Sequence, residues 1–433
     1  MYSGSGRGAL CGRIAGTAAA GLLLLLSGPL LEPRTAAAAG FSILNADFPD
    51  SGLNDPTVLE AVAGSSAVTL GEQRLDALRY AAGLWEDTLA NEVEIVLRVR
   101  FVELGGTLYG AVLGSAASMT VHRDFEGALL PATYYPAALA NNLAGLDLNG
   151  GIPEIWITLN ASVDSDAVLG ERSWYYGHDG EVPCGPRGCD IDLVSVALHE
   201  IAHGLGFTTL FDYRSGEKFD SRLRCPDMGL CTLAVGCANG ACLGRGYDDR
   251  YLLQLIEAGT GKVLSTMTSA ERAAVLVSDG RLAWSGDELA RASVLLDSGV
   301  DVNGDVHMHD PVLLAPGSSV THFSPVLSPD QFMEPGYTGP IHDTGLPGGL
   351  AAYLLADLGW PLRAESSCGD ADGSGQIGIA DALIVLRSAL GLPGSCPLET
   401  CDVNGDQELS VVDALLILSL VVGNPVLLDC SAG

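Results

Sequence analysis

The apolar positions change period several times along the chain, and each change marks an element. Leu75, Leu78, Ala82, Trp85 and Leu89 recur at steps of three and four, the period that lines one face of a helix. Thr69-Leu-Gly-Glu72 directly before them forms a capping box, in which the threonine side chain satisfies one free amide and the glutamate another. Val93, Ile95, Leu97, Val99 and Phe101 then alternate with mostly polar neighbours, which predicts a half-buried strand, and Ile155 to Leu159 predicts a second. Val194, Ala197, Leu198, Ile201 and Leu205 return to the helical period behind an N-cap region, Asp190 to Asp192. Residues 213–300 are irregular, cysteine-bearing and Gly-rich at first, then helical near Ser269 to Val277. After Trp360-Pro361 the composition shifts to Asp, Gly and Ser, which places a boundary between Arg363 and Ser367.

The beginning of the chain has a different pattern. Arg7 and Arg13 precede an apolar run from Ile14 to Leu31, and Ala36 to Ala39 follow it. This is the order of a secretory signal peptide, with cleavage near Ala39-Gly40. The expected product is secreted or cell-surface associated and has no membrane span after signal removal. Secretion changes the reading of the cysteines, because ten of them follow position 39 and an even number in an exported chain predicts disulfides. Cys184 and Cys189 are close enough in sequence to pair locally, although spacing leaves the connectivity open. The charge balance, 22 Lys+Arg against 53 Asp+Glu for −31, argues against nucleic acid as a partner.

His199-Glu200-Ile201-Ala202-His203 carries the first recognisable chemistry. On a helix His199 and His203 share one face and both reach a single Zn²⁺. Glu200 stands beside that metal, placed to take a proton from water and hand it to a leaving amine. A catalytic zinc needs a third protein ligand. The short metzincin signature would put a histidine where this chain has Thr209. Farther on come Ser319-Val320-Thr321-His322-Phe323 and Pro329-Asp330-Gln331-Phe332-Met333-Glu334-Pro335. With Gly204-Leu205-Gly206-Phe207 after the first motif, this arrangement resembles the leishmanolysin-like metzincin metallopeptidases. In that family an insertion separates the helix motif from the third histidine and a methionine turn follows it. The resemblance implies His322 as third ligand, Met333 as the structural Met-turn, and Leu350 to Trp360 as the closing helix. It is specific at residues 199–207 and 319–335. Asp212, His309 and His178 remain alternative ligands on residue type alone, and Tyr337 is a lesser candidate for reaching the metal or an oxyanion.

The second chemical motif is duplicated. Asp370, Asp372, Ser374, Gln376 and Asp381 occupy positions 1, 3, 5, 7 and 12 of one loop. Asp402, Asn404, Asp406, Glu408 and Asp413 occupy the same positions of another. Oxygen side chains at positions 1, 3, 5 and 12, with a backbone carbonyl at 7, form a cage for Ca²⁺. Each loop leads into an apolar helix. The pair resembles a dockerin module, with Gln407 standing where glycine is usual. The resemblance implies a cohesin-type partner contacting Ile379-Ala380 and Val411-Val412; a calcium-stabilised tail without a partner is the other reading. Asp301-Val-Asn303-Gly-Asp305 starts like a third loop but has Val312 at position 12, so it reads as a turn.

The expected organisation is a signal peptide at 1–39, an α+β zinc metallopeptidase domain at 40–363 with a cysteine-bearing insertion around 213–318, and a small all-α dockerin-like domain at 364–433. The expected function is a secreted zinc endopeptidase acting on protein or peptide substrates. The alternative is an inactive metalloprotease-like adhesin or scaffold component anchored through its tail.

Overall fold

The computed structural model describes residues 40–219, 246–293, 296–315, 317–342, 344, 349–363, 368–371, 377–392 and 396–422, with 424, 426 and 428–430. Residues 1–39, where the signal peptide was expected, and Cys225, Cys231, Cys237 and Cys242 lie outside the described residues. Helices and several small sheets occur together, so the architecture is α+β.

The first half builds a twisted platform. Strand β1 (Phe41–Asn45) leads to helix α1 (Leu70–Thr88) and strand β2 (Ile95–Val102). Strand β3 (Gly114–Ser118), the short β4 (Val121–His122) and β5 (Thr133–Pro136), helix α2 (Ala137–Ala144) and strand β6 (Ile155–Asn160) follow. The main sheet has the order β1-β2-β6-β3. Its first three strands are parallel, with Phe41 opposite Ile95 and Val99 opposite Ile157. β3 runs antiparallel on the edge, with Ala116 opposite Ile157. Ile95, Leu97, Val99 and Phe101 of β2 all face inward and are buried, as their alternation requires. The capping box forms as read: Thr69 Oγ1 accepts from the Glu72 amide at 3.3 Å, and Glu72 Oε2 from the Thr69 amide at 3.1 Å. α1 stops at Thr88, one residue short of the apolar series, and Leu89 is extended.

Three short strands, β7 (Trp174–Tyr175), β8 (Cys184–Gly185) and β9 (Gly188–Cys189), precede β10 (Ile191–Asp192). The Cys184–Cys189 disulfide joins β8 to β9 as spacing suggested. β10 runs into helix α3 (Leu193–Leu205), whose cap is Asp192. Its side chain accepts from the Ser195 amide at 2.7 Å. α3 packs on α1 and on the sheet. Trp85 Nε1 donates to Leu198 O, and Trp360 Nε1 donates to Leu205 O, a carbonyl of the last turn without a helical partner. Gly204 allows the helix to lie against β6: a Cβ there would meet Ile155 Cγ2 at 2.2 Å.

The insertion is part of the same core. β11 (Asp248–Asp249) pairs with β5. β12 (Leu255–Glu257), β13 (Lys262–Val263), β14 (Leu282–Trp284) and β15 (Val306–His307) form an antiparallel sheet in the order β13-β12-β14-β15. Helices α4 (Ser269–Val275) and α5 (Asp287–Ala292) lie within this region, and α4 carries its own Thr268/Glu271 capping box. Leu252, Leu255 and Trp284 join the apolar cluster that contains α1 and α3. Asp357 of helix α6 (Ala351–Leu358) accepts from Trp284 Nε1 at 2.9 Å and from the Glu288 amide at 2.8 Å, fastening the insertion to the closing helix. Asp301 accepts from the amides of Asn303 and Asp305, the turn its sequence suggested.

From Gly40 onward the described residues form one unit, but the buried apolar residues fall into two clusters. The second lies after residue 363 and centres on Val385, Cys401, Val403 and Ile417. It is built by α7 (Ile379–Ala389), α8 (Leu398–Cys401) and α9 (Val411–Val421), with Cys368–Cys430 and Cys396–Cys401 disulfides. No helix among the described residues is long and apolar enough to cross a membrane.

An alanine replacing glycine inside a helix ordinarily stabilises by about 1 kcal/mol. Gly204→Ala reverses that sign, because the added methyl overlaps the buried Ile155 and overpacking costs about 1–3 kcal/mol. A lowered denaturant midpoint with unchanged slope is the expected outcome.

Candidate metal centre

Three imidazoles from two distant segments meet at the head of one cleft. His199 and His203 project from the same face of α3, one turn apart. His322 arrives on a separate segment held from both sides by backbone bonds. The His309 amide donates to His322 O at 2.9 Å, and the Phe323 amide donates to Met333 O at 2.9 Å. Two residues earlier, Val320 has φ +78°, a conformation that β-branched residues avoid. Bonds from the Val320 amide to His309 O and from Tyr251 Oη to Val320 O hold it there.

Each ring is oriented by a carbonyl. His199 Nδ1 donates to Phe332 O at 2.6 Å, His203 Nδ1 to Phe207 O at 2.8 Å, and His322 Nδ1 to Ser318 O at 2.8 Å. A carbonyl only accepts, so all three protons sit on Nδ1 and all three Nε2 atoms present lone pairs. Those Nε2 atoms converge: His199 lies 3.1 Å from His203 and 3.1 Å from His322. Burial, the first cause for each, holds all three rings neutral. His203 is pushed down to about 3, with the His199 ring adding to the effect, and His322 falls well below the ordinary histidine value. Three neutral acceptors facing one another at hydrogen-bond distance have no proton to share. A cation in their midst would satisfy all of them, and an imidazole set with each far nitrogen bonded to a carbonyl is a donor set that suits a divalent transition-metal ion.

Among the described residues, this is the group of three or more His, Cys, Asp or Glu side chains whose ligand atoms lie within 4.8 Å of one another. The alternative ligands are not part of this group. His309 serves His322 through its backbone, Asp212 closes a turn, and the His178 ring stacks on Tyr80 at 4.3 Å.

Glu200 is 4% exposed, and its Oε2 has no hydrogen-bond partner among the described residues. Burial raises its carboxyl to about 8. Gly114 on the edge strand makes room for it, since a Cβ at that position would lie 2.7 Å from Glu200 Oε1. A cleft of about 860 Å³ opens over these groups. β3 and the residues before it form one wall, and the 332–339 segment lies among the others. Met333 is fully buried, and its carbonyl and that of Phe332 bear on the His322 segment and the His199 ring. Tyr337 lines the cleft, but its hydroxyl accepts from the Asp192 amide at 3.0 Å, and burial moves it up to about 12. Asp192 also accepts from His342 Nε2 at 2.8 Å, which ties the helix cap to the segment that follows Tyr337.

In the tail, Asp372, Ser374 and Gln376 lie outside the described residues. Their loop partners Asp370 and Asp381 are 2% and 1% exposed. The second loop is described throughout. Asp402 accepts from the Asp406 and Gln407 amides, and Asn404 from the Asp406 amide. Asp406 accepts from the Glu408 amide, and Asp413 from the Val403 and Ser410 amides. Asp413 at position 12 thus reaches back to the residue after position 1, and Gln407 takes a φ of +66° where a glycine would be at ease. Asp402 and Asp413 are buried, 3% and 0% exposed, with no basic side chain paired to them among the described residues.

No family model, no curated protein and no solved structure matches the chain.

Sequence reasoning missed the carbonyls of Phe207, Ser318 and Phe332 and the space at Gly114. Only the first had a legible signal: Gly206, at φ +135°, turns the chain so that Phe207 O faces back to His203. The geometry separates the three clustered imidazoles from the alternative candidates. His322→Ala is expected to lower bound zinc from one equivalent to near none, whereas His309→Ala and Asp212→Ala keep it. Metal analysis of the three purified variants after dialysis against trace zinc measures this.

Proposed function

We propose that this chain is a secreted, zinc-dependent endopeptidase with a calcium-binding tail. The observation that carries the reading is the convergence of three carbonyl-anchored imidazoles beside the buried carboxyl of Glu200. His199, His203 and His322 would hold the ion, which when bound supplies Lewis acidity and lowers the pKa of a water at the site.

The chain's own groups supply the rest. Glu200 accepts a proton from the attacking water and delivers it to the amine as the peptide C–N bond breaks. Its raised affinity for a proton suits both transfers, and a nearby dication would bring the carboxyl back toward ionisation. The outer edge of β3 carries no strand partner among the described residues. An extended substrate adds to such an edge through its backbone, which aligns it along the cleft wall beside Glu200. The order of motifs resembles the leishmanolysin-like metzincins, and the tail resembles dockerin modules; both resemblances support the reading. The signal-like segment supports export. The apolar Ile379, Val411 and Val412, 67%, 44% and 51% exposed, suit a protein partner of cohesin type.

Glu200→Gln separates the peptidase from an inactive adhesin or scaffold component. It is expected to keep zinc and fold while casein hydrolysis falls at least ~100-fold. Parent and variant cleaving alike, or a parent without activity, would sink the proposal.

The tail is tested by calcium titration of the full chain. Two binding events are expected by calorimetry, with a gain in helix by circular dichroism, and Asp381→Ala or Asp413→Ala each removes one. A chain that takes up no calcium would reduce both loops to acidic turns.

A further inference from the structure

The cleft has one unbalanced charge. Among the described residues that line it, Arg214 is the sole Lys or Arg. Its side chain is exposed, and no ion pair to it exists among the described residues. Its guanidinium is therefore free to meet a charged group that enters the cleft.

Its position is built. Asp212 Oδ1 accepts from the amides of Arg214 and Ser215, at 2.9 and 2.7 Å, and from Ser215 Oγ at 3.0 Å. The turn closes through the Gly216 amide to Asp212 O and the Asp212 amide to Glu217 O. Gly216 sits at φ +68°, so close to α4 that a Cβ would lie 2.0 Å from Ser269 O. Arg272 of α4 then clamps it: Nε donates to Gly216 O at 2.7 Å, and Nη1 to Leu264 O and Met267 O. The insertion therefore fixes a rigid turn at the cleft, and that turn presents Arg214 to whatever lies there.

The carboxylates nearby do not neutralise it. Glu200 is buried at the metal centre. Glu334 is buried, accepts from the Gln331 amide, and is held toward its neutral form by that burial. Asp212 is committed to its own turn.

We infer that Arg214 reads a carboxylate on the substrate, so that the cleft selects peptides bearing Asp, Glu or a free C-terminus at the subsite facing the clamped turn. This rests on the peptidase reading above. A guanidinium pairs with carboxylates in a bidentate, charge-assisted geometry that neutral side chains do not match. The strong negative charge of the whole chain does not cancel the preference, because charges beyond about 8–10 Å are screened at physiological salt.

The test uses zinc-loaded full chain and matched fluorescent peptides. Glu, Gln or Lys is scanned through each position around the scissile bond, with the C-terminus free or amidated. Turnover is read with the parent, and binding by fluorescence anisotropy with Glu200→Gln. One position is expected to favour Glu over Lys by about tenfold in kcat/KM and in affinity. Arg214→Gln flattens that preference and Arg214→Glu inverts it, with near-ultraviolet circular dichroism unchanged. The amidated peptides distinguish a side-chain carboxylate from a terminal one. A profile indifferent to Arg214→Glu, or binding without charge discrimination, overturns the inference. Charge-selective binding that inverts with Arg214→Glu, in a parent that cleaves nothing, would retain carboxylate recognition and reject the peptidase reading. No peptide cleaved and none bound would reject both.

Discussion

Three lone pairs pointed at one small volume are the constraint on which helix α3, the His322 segment and the cleft walls depend. Each imidazole is unprotonated where it faces the others because its opposite nitrogen is committed to a carbonyl. Each carbonyl has its own support: a glycine turn for Phe207, the strained approach at Val320 for the segment after Ser318, and the turn closed by the Glu334 amide on Gln331 O for Phe332. Removing those supports would let the rings rotate and relieve the crowding. The fold spends backbone strain and buried polarity to prevent that, a pattern associated with sites that hold something.

Glu200 obeys the same logic in the opposite sense. It is kept dry by α3 behind it and by the side-chain-free surface of Gly114 in front. A carboxyl in such a place retains its proton until a positive charge arrives nearby. A cation held by the histidines would therefore couple to the proton affinity of Glu200, each tuning the other.

The local periodicities were legible in the sequence: the capped α1, the alternation of β2 and the apolar stripe of α3 each depend on near neighbours and formed close to where they were read. His199, His203 and Glu200 were legible for the same reason, being set by one helical turn. His322 needed a resemblance, because residue type alone does not distinguish it from His309, and only the fold brings its Nε2 to the His199 ring. The insertion was opaque. Its strands are two or three residues long, too short to show alternation, and their burial against Tyr251 and Trp284 comes from contacts distant in sequence. Arg214 was equally invisible, since only the clamped turn makes it part of the cleft.

The edge strand Gly114-Ser-Ala-Ala-Ser118 has one further consequence. An unpaired edge is a template for any extended chain, and proteins usually guard such edges against self-association. This one is made of small residues with weak strand preference. It offers hydrogen-bonding groups but almost no apolar grip, so it does not hold a chain by side-chain adhesion. Two copies meeting along this edge gain little, and a segment lying on it is released as easily as it is taken up. The plainness of the strand thus disfavours self-association along this edge and favours exchange of whatever occupies it.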